Sequence, residues 1–458
     1  MYRRFRVILI FSCVFCMPTI IPEQEGRDYW YQKAKTAIQE RVTLFGNKRE
    51  KAKNVIFLVG DGMGITTITA ARIFKGQRIG KFGEDLELAW EKFPTLALTK
   101  TYNLDAQIGE SSACATALLC GVKSNFETVG LDGKGRFENC FSSFTSRVDS
   151  LIDWAQQEAL YSHSSSRYWE DDSKVPTISR KSCKDIARQL VEDDPGRHIN
   201  VLLGGGRRHW LPKVSHDSEA PYEEGRRLDG RNLIEDWIRD KKKRGVKAEY
   251  VWKKSQFDQI EVEKVDQLLG LFSYSHMDFD TDRDKSENGD PSLSEMTAKA
   301  LAILSKNPKG YFLFVESMDS KMSDVDNMPY STLLYGNGPG FNIPRLFPTN
   351  LSIEEKNSIH GAAVPRKWAT HGGEDVPVYA TGPLSSLFFT GTVDQSYIPH
   401  AIAYIACLAE YKQRCVINND IPNSSQIFQE VIILLDELRW CLPAAYSVKK
   451  KQNRRIRL

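Results

Sequence analysis

Two carboxylates follow short apolar runs that are typical of buried strands. Asp61 comes directly after the run Asn54–Gly60, and Glu316 ends the run 310–316. In open α/β sheets, ligands bind at the carboxyl ends of strands, and a carboxylate there can bind a metal cation. Aspartate is also a common helix cap, so a structural role for Asp61 stays open beside the metal role.

Ser111 lies where a loop passes into an alanine-rich helix, within residues 109–117. A serine at that place is commonly a helix cap. The alternative is a nucleophile, because the N–H groups and dipole of a helix N-terminus favour an anion such as phosphate. Serine alone is a weak nucleophile, so a base or a metal would have to activate it.

Two further side chains are candidates for a phosphate or metal site. His371 is followed by two glycines, which indicates a tight backbone approach and an exposed ring that could bind a metal. Arg167 precedes Tyr168 and Trp169, and its forked guanidinium suits phosphate. A stacked surface arginine is the alternative for Arg167.

Alternating helix and strand patterns predict the elements that position these residues. The pattern favours a doubly wound, mostly parallel α/β sheet flanked by helices. Predicted strands are 54–60, 200–206, 310–316 and 375–380, and predicted helices are 29–42, 65–74, 293–304 and 427–435. Residues 212–290 and the loop-rich 323–366 are interpreted as surface insertions.

The composition and the N-terminus indicate an exported globular protein. The chain has 458 residues, 41% of them apolar, and a formal charge of +3, which gives no reason to expect nucleic acid as a partner. Arg3, Arg4 and Arg6 precede an apolar run, so residues 1–21 are predicted to be a signal peptide. Sequons at Asn350 and Asn423 agree with export. The basic C-terminus does not match a lipid-anchor signal.

Together these motifs form a series of sequence runs in a defined order along the chain. The runs 54–64, 102–125, 167–172, 204–207, 228–230, 291–316, 329–340 and 371–383 resemble the animal branch of the alkaline phosphatases, and the resemblance extends over about residues 28–415. It implies one domain over 28–420 with a crown-type insertion at 323–366, followed by a C-terminal helix and basic tail at 421–458. It also implies a secreted or surface-bound homodimer that hydrolyses phosphate monoesters through a phosphoserine, with Zn²⁺ and Mg²⁺ as cofactors. Peripheral association with a membrane is a further possibility.

The resemblance assigns roles residue by residue. Ser111 matches the nucleophile and Arg167 the phosphate clamp, while Asp61 matches a ligand that bridges zinc and magnesium. Glu316 matches a magnesium ligand and His371 a ligand of the other zinc. The remaining matches are two disulfides, Cys140–Cys183 and Cys407–Cys415, and three calcium-site positions, Glu219, Phe272 and Asp290. Ser273 stands where that site has a glutamate, which makes calcium binding doubtful.

Two segments of the family pattern are missing from the chain. One falls between Gln157 and Tyr161, and the other between Glu316 and Ser323. They carry the remaining zinc ligands and central strands, so we expect incomplete zinc sites and open sheet edges, because a catalytic zinc takes about three protein ligands. Asp319, Asp324 and Asp326 are possible substitutes. The alternatives to an active enzyme are an inactive relative that binds phosphate or a partner, and a splice product without function.

Overall fold

The computed structural model describes most of the chain. The described residues are 25–46, 50–156, 162–280, 282–317, 336–338, 341, 362–367, 370–416 and 430–436. The side chains of residues 45, 317, 415, 416 and 430–436 are excluded from the description. The predicted signal peptide, most of the predicted crown-type insertion and the basic tail lie outside these ranges.

Six strands form a central, mostly parallel sheet. The strands are β1 (Asn54–Gly60), β2 (Thr95–Lys100), β6 (Phe312–Ser317), β7 (Val376–Thr381), β8 (Gly391–Asp394) and β9 (Glu430–Asp436), in the order β6-β1-β9-β7-β2-β8. Only β7 runs antiparallel to its two neighbours. The predicted mostly parallel α/β sheet is therefore confirmed.

The described residues also form eleven α-helices and a second sheet. The helices are α1 (Arg27–Phe45), α2 (Ile65–Arg78), α3 (Ser111–Cys120), α4 (Leu151–Gln156), α5 (Ile186–Glu192), α6 (Leu233–Lys243), α7 (Lys254–Asp258), α8 (Leu293–Leu304), α9 (Ser385–Phe388), α10 (Tyr397–Ala406) and α11 (Lys412–Val416). The second sheet has the order β3-β5-β4, with β3 (Val201–Gly204), β4 (Ala248–Val251) and β5 (Gln267–Leu271). Within these ranges, no helix is long and apolar enough to span a bilayer.

The central core explains why the apolar runs form strands. Val55, Phe57 and Val59 of β1 pack in one cluster with residues of β2, β7, α1 and α10. Buried positions on consecutive β1 residues show that both faces of the strand are covered, as a continuous apolar run requires. Helix α8 begins at the capping box of Ser292 and Glu295 and has the predicted bounds.

Residues 212–290 are more than a surface insertion. Strands β4 and β5 and helices α6 and α7 lie in this range, and every residue of β5 is buried. Trp237 and Leu269 belong to one apolar cluster and Phe257 and Leu268 to another. The charged surface residues that suggested an insertion belong to a subdomain with its own core.

The predicted C-terminal helix at 427–435 is wrong over residues 430–435, which lie in strand β9, while residues 427–429 lie outside the description. Strand β9 pairs parallel with β1 from Asn54↔Glu430 to Gly60↔Asp436 and antiparallel with β7. The run 431–435 is continuously apolar, and such a run fits a strand with neighbours on both sides as well as a buried helix. β9 thus fills a central position of the sheet where an open edge was expected.

The predicted disulfide Cys140–Cys183 is present, next to the buried Trp169. Cys407 is also disulfide-bonded, whereas the side chain of Cys415, its predicted partner, lies outside the description.

Two histidines, His163 and His400, are buried in the core of the protein. The ring of His400 lies 3.2 Å from the carbonyl of Gly121 and against Tyr31 and Trp154. The ring of His163 lies 2.9 Å from the carbonyl of Val148. Burial lowers the pKa of each histidine to about 4. His360 lies outside the described residues.

These pKa values predict acid destabilisation. Between pH 6.5 and 4 the unfolded chain binds a proton at His400 that the folded chain excludes, so stability falls as the pH decreases. The loss is about 3 kcal/mol for one such histidine. Urea unfolding at several pH values should show a smaller pH dependence for His400→Gln than for the wild type. His216→Gln, at an exposed position, is the control, and equal slopes in His400→Gln and the wild type would refute the assignment.

Candidate active site

The structure brings the five predicted site residues to one edge of the central sheet. Asp61 follows β1, and Glu316 lies opposite Val59 in the next strand, β6. A large cavity is lined by Asp61, Ser111, Arg167 and Glu316. A smaller one on the other side of the serine is lined by Asp61, Ser111 and the exposed His371. The topology therefore collects residues that are up to 310 positions apart.

Ser111 is the first residue of helix α3, and its side chain lines both cavities together with Asp61. The preceding loop approaches strand β2 closely. A Cβ added to Gly109 would lie 2.1 Å from the carbonyl oxygen of Thr101, so only glycine fits at this position. This contact holds the N-terminus of α3 beside the end of β2.

Glu110 organises the start of α3, a role that the sequence interpretation did not assign. Its carboxylate is buried and accepts hydrogen bonds from the N–H groups of Ser112 (2.9 Å), Ala113 (3.3 Å) and Glu127 (3.0 Å). It also accepts a 2.6 Å bond from the Ser112 hydroxyl. The sequence contained a weaker signal: glutamate is not one of the preferred N-cap residues, but the dipole of a helix stabilises a carboxylate at its N-terminus.

The cap changes the expected mode of anion binding. The N–H groups of Ser112 and Ala113 are bound to Glu110 and are not available to a phosphate. Arg167 forms an ion pair with the same carboxylate, while its own N–H donates to the carbonyl of Glu127 at 2.9 Å. The Arg167 side chain keeps 34% of its surface exposed, so it can contact a ligand in the cavity.

The carboxylates of the site differ in their electrostatics. Burial would raise the pKa of Glu110, but Arg167 and the hydrogen bonds outweigh it and lower the pKa. For Asp61, burial prevails over the nearby Ser111 hydroxyl and the charge of Arg167, and it raises the pKa. Lost hydration and the charge of Asp61 raise the pKa of Glu316 to about 7. Since the Glu316 side chain borders the open cavity and is exposed, water there reduces this shift.

The site as described carries more negative than positive charge. Three carboxylates, Asp61, Glu110 and Glu316, face the guanidinium of Arg167. A phosphate dianion entering this site needs additional positive charge. Burial raises the pKa of Asp61 and of Glu316, and the charge of Arg167 offsets only part of this effect.

The residues present fit magnesium better than a zinc pair. Magnesium is commonly held by one or two carboxylates together with water and phosphate, which Asp61 and Glu316 can provide. Within the described ranges, no group of three or more His, Cys, Asp or Glu side chains is placed to hold a metal ion. A catalytic zinc takes about three such ligands. The possible substitutes Asp319, Asp324 and Asp326 lie outside the described residues.

The calcium-site positions lie together in the second subdomain. The carboxylate of Glu219 is 2.8 Å from the guanidinium of Arg207. Burial, together with the charges of Glu219 and Asp278, raises the pKa of Asp290 to about 6. The Ser273 hydroxyl donates to the carbonyl of His276 and supplies no carboxylate. The guanidinium of Arg207 thus neutralises part of the negative charge that a calcium ion would otherwise neutralise.

Fold and site together define an α/β protein with a helix-start serine and acidic side chains at the carboxyl edge of a mostly parallel sheet. The alkaline phosphatase family model matches residues 52–319 and 317–408. The chain belongs to the alkaline phosphatase family. The break in the match falls directly after Glu316, where the second missing segment was predicted.

Relatives from animals agree with this assignment. The chain is 36% identical to the tissue-nonspecific alkaline phosphatase of Gallus gallus, over 89% of this chain and 95% of the relative. It is 35% identical to the alkaline phosphatase of Gadus morhua, over 85% of this chain and 99% of the relative. The first alignment spans 498 positions, more than the 458 residues of the chain, so the relative has residues that this chain lacks.

Solved structures similar to this chain include two alkaline phosphatases. The enzyme of the Antarctic bacterium TAB5 has a TM-score of 0.46 at 14% identity, covering 78% of this chain and 99% of that one. The cold-active enzyme of Shewanella sp. has a TM-score of 0.48 at 17% identity, covering 77% and 99%.

Proposed function

We propose that this protein hydrolyses phosphate monoesters through a phosphoserine at Ser111. The observation that carries the proposal is that Ser111, at the start of α3, lines one cavity together with Asp61 and Arg167. Family membership supports the same reaction.

The chain's own residues suit the first step of this reaction. The Ser111 hydroxyl lies beside Asp61 in the cavity and has an oxygen lone pair for the phosphorus atom. As the Ser111 oxygen bonds to phosphorus and its proton passes to water, the bond to the ester oxygen breaks, and the departing oxygen takes a proton from water and leaves as the alcohol. Arg167 contacts the phosphate oxygens, and Glu110 holds the start of α3 and Arg167 in place. Water then releases phosphate from Ser111.

We infer that Asp61 and Glu316 hold magnesium, which when bound neutralises their charges and stabilises the charge of the phosphate. His371 is proposed as a zinc ligand by resemblance, but we assign no step to zinc because the described residues do not complete a site.

The decisive test of this proposal is the detection of the covalent phosphoserine intermediate. The protein is incubated with an aryl phosphate and magnesium, quenched in acid and digested, and the peptides are analysed by mass spectrometry. Phosphate is expected on Ser111 and absent from the neighbouring Ser112. Hydrolysis without a phosphopeptide, or no hydrolysis at all, would contradict the proposal and favour a binding function.

Magnesium should stabilise the protein through Glu316. At pH 8, magnesium in about ten- to hundredfold excess over its Kd should raise the free energy of unfolding by about 1–3 kcal/mol. Glu316→Gln removes one of the two carboxylates and should abolish most of this increase. Unfolding is measured with magnesium chloride and with sodium chloride at equal ionic strength.

Glu249→Gln serves as the matched control, because Glu249 is exposed on strand β4 of the second sheet. It should respond to magnesium as the wild type does. An equal response of Glu316→Gln would place the magnesium effect elsewhere.

For the protein as a whole, we propose export through the secretory pathway and a homodimeric state. The signal-like N-terminus and the Cys140–Cys183 disulfide support export, because disulfides persist in oxidising compartments. The homodimer and any membrane association rest on the resemblance alone.

A further inference from the structure

The catalytic serine opens into a cavity of about 800 Å³, a volume typical of ligand sites. Asp61, Ser111, Arg167 and Glu316 line one end of it. The other walls are largely aliphatic and aromatic and include Leu119, Val148, Ile152, Leu202, Ile303 and Phe312. A phosphate bound at Ser111 therefore has space beside it for a sizeable organic group.

Two strand edges border the same cavity. Strand β6 pairs with β1 along one edge and strand β3 pairs with β5 along one edge, and residues of both β6 and β3 line the cavity. Among the described residues, no strand pairs with the second edge of either. A ligand in this space meets backbone donors and acceptors as well as apolar side chains.

The dimensions fit an extended peptide. The cavity follows β6 from Phe312 to Glu316, a distance of about 13 Å at roughly 3.3 Å per residue. Phe312 and Phe314 are only half-buried there, so apolar side chains of a ligand can cover them. An alkyl chain would cover the same side chains but would leave the strand edges without hydrogen bonds, which is costly.

We propose that the cavity is a substrate groove for an extended phosphopeptide, with its phosphoryl group at Ser111 and its backbone paired along β6. The proposal rests on the proposed phosphatase function and adds the class of substrate. Strand addition to a free sheet edge supplies affinity through main-chain hydrogen bonds, and the apolar walls select apolar residues next to the phosphorylated one.

The test compares three substrates of the full-length protein: an aryl phosphate, a six-residue phosphopeptide with apolar flanking residues, and an alkyl phosphate of the same length. The phosphopeptide should have a kcat/KM about tenfold or more above the aryl phosphate, as two or three added hydrogen bonds predict. In an extended peptide, successive backbone N–H groups point alternately toward and away from the neighbouring strand. Methylating the nitrogens that face β6 should remove the gain in kcat/KM, whereas methylating the nitrogens that face away should preserve it.

A groove variant separates the peptide site from catalysis. Leu202→Trp narrows the cavity from β3 and should reduce the kcat/KM of the phosphopeptide to that of the aryl phosphate, whose own rate stays unchanged. Leu44→Trp, at an exposed position in α1, is the matched control and should preserve the preference.

Several outcomes would overturn the proposal. Equal kcat/KM for the aryl phosphate and the phosphopeptide would show that the groove does not contribute, and preference for the alkyl phosphate would indicate a lipid-like substrate. If no ester is hydrolysed, the proposed function fails, and the groove is then tested by fluorescence anisotropy with a phosphonate analogue of the phosphopeptide. Binding that Leu202→Trp weakens about tenfold supports the groove, and no binding by the wild type removes it.

Discussion

Ser111→Ala should abolish hydrolysis of an aryl phosphate, lowering kcat by roughly 10³-fold or more, because the variant has no oxygen to form the phosphoserine. The helix start should survive, since Glu110 caps α3 through the N–H groups of Ser112 and Ala113 and needs no contact with the Ser111 hydroxyl. The loss should therefore appear in kcat, while the thermal unfolding curve stays close to that of the wild type. Rates are measured with magnesium and zinc present.

Ser112→Ala is the matched control for that variant. Its hydroxyl donates to Glu110 and has no proposed role in the reaction, so its loss should lower the rate by less than about tenfold, the value of one hydrogen bond. If both alanine variants keep the wild-type rate, the observed hydrolysis does not pass through Ser111. The chain would then be a binding relative whose activity comes from a contaminant.

Ile433→Pro should lower the free energy of unfolding by about 3 kcal/mol or more. Residue 433 lies inside β9, opposite Phe57 of β1 and Ala380 of β7, so the strand is paired on both sides. Proline removes one N–H from this ladder and its ring disturbs the neighbouring backbone. Urea unfolding measures the change, and the intensity of near-ultraviolet circular dichroism reports on the packing of the core.

The comparison for this proline is Ile433→Val, which preserves the backbone N–H and should cost no more than about 1.5 kcal/mol. A proline variant as stable as the valine variant would show that residues 430–436 do not complete the sheet. In that case β1 and β7 would need another partner. The result would also decide whether the chain compensates structurally for its missing segment.

The C-terminal strand shows where sequence reasoning was insufficient. Residues 431–435 are apolar without a clear period, and Gln429 and Glu430 before them suggested an amphipathic helix. Periodicity cannot separate a buried strand from a buried helix over so short a run. The strand conformation is selected because the segment pairs with β1 on one side and β7 on the other. These two strands are hundreds of residues apart in the chain, so the local sequence does not reveal this position.

Glu110 provides a second example at the site. Its position before a helix could have predicted the cap, because that is a local property of the chain. Its contact with Arg167, 57 residues further on, depends on how two loops meet and has no local signal. For the same reason, the sequence could not show that the cap occupies two N–H groups that seemed available to phosphate.

Local patterns determined much about this protein. The apolar run of β1, the capping box of α8 and the strand-end carboxylates Asp61 and Glu316 are readable because neighbouring residues alone decide them. The tertiary structure decided which strand lies beside β1 and how the charges of the site carboxylates affect one another. It also formed the cavity next to Ser111. These properties arise from contacts between distant segments, and their free energies depend on a spatial arrangement that adjacent residues do not encode.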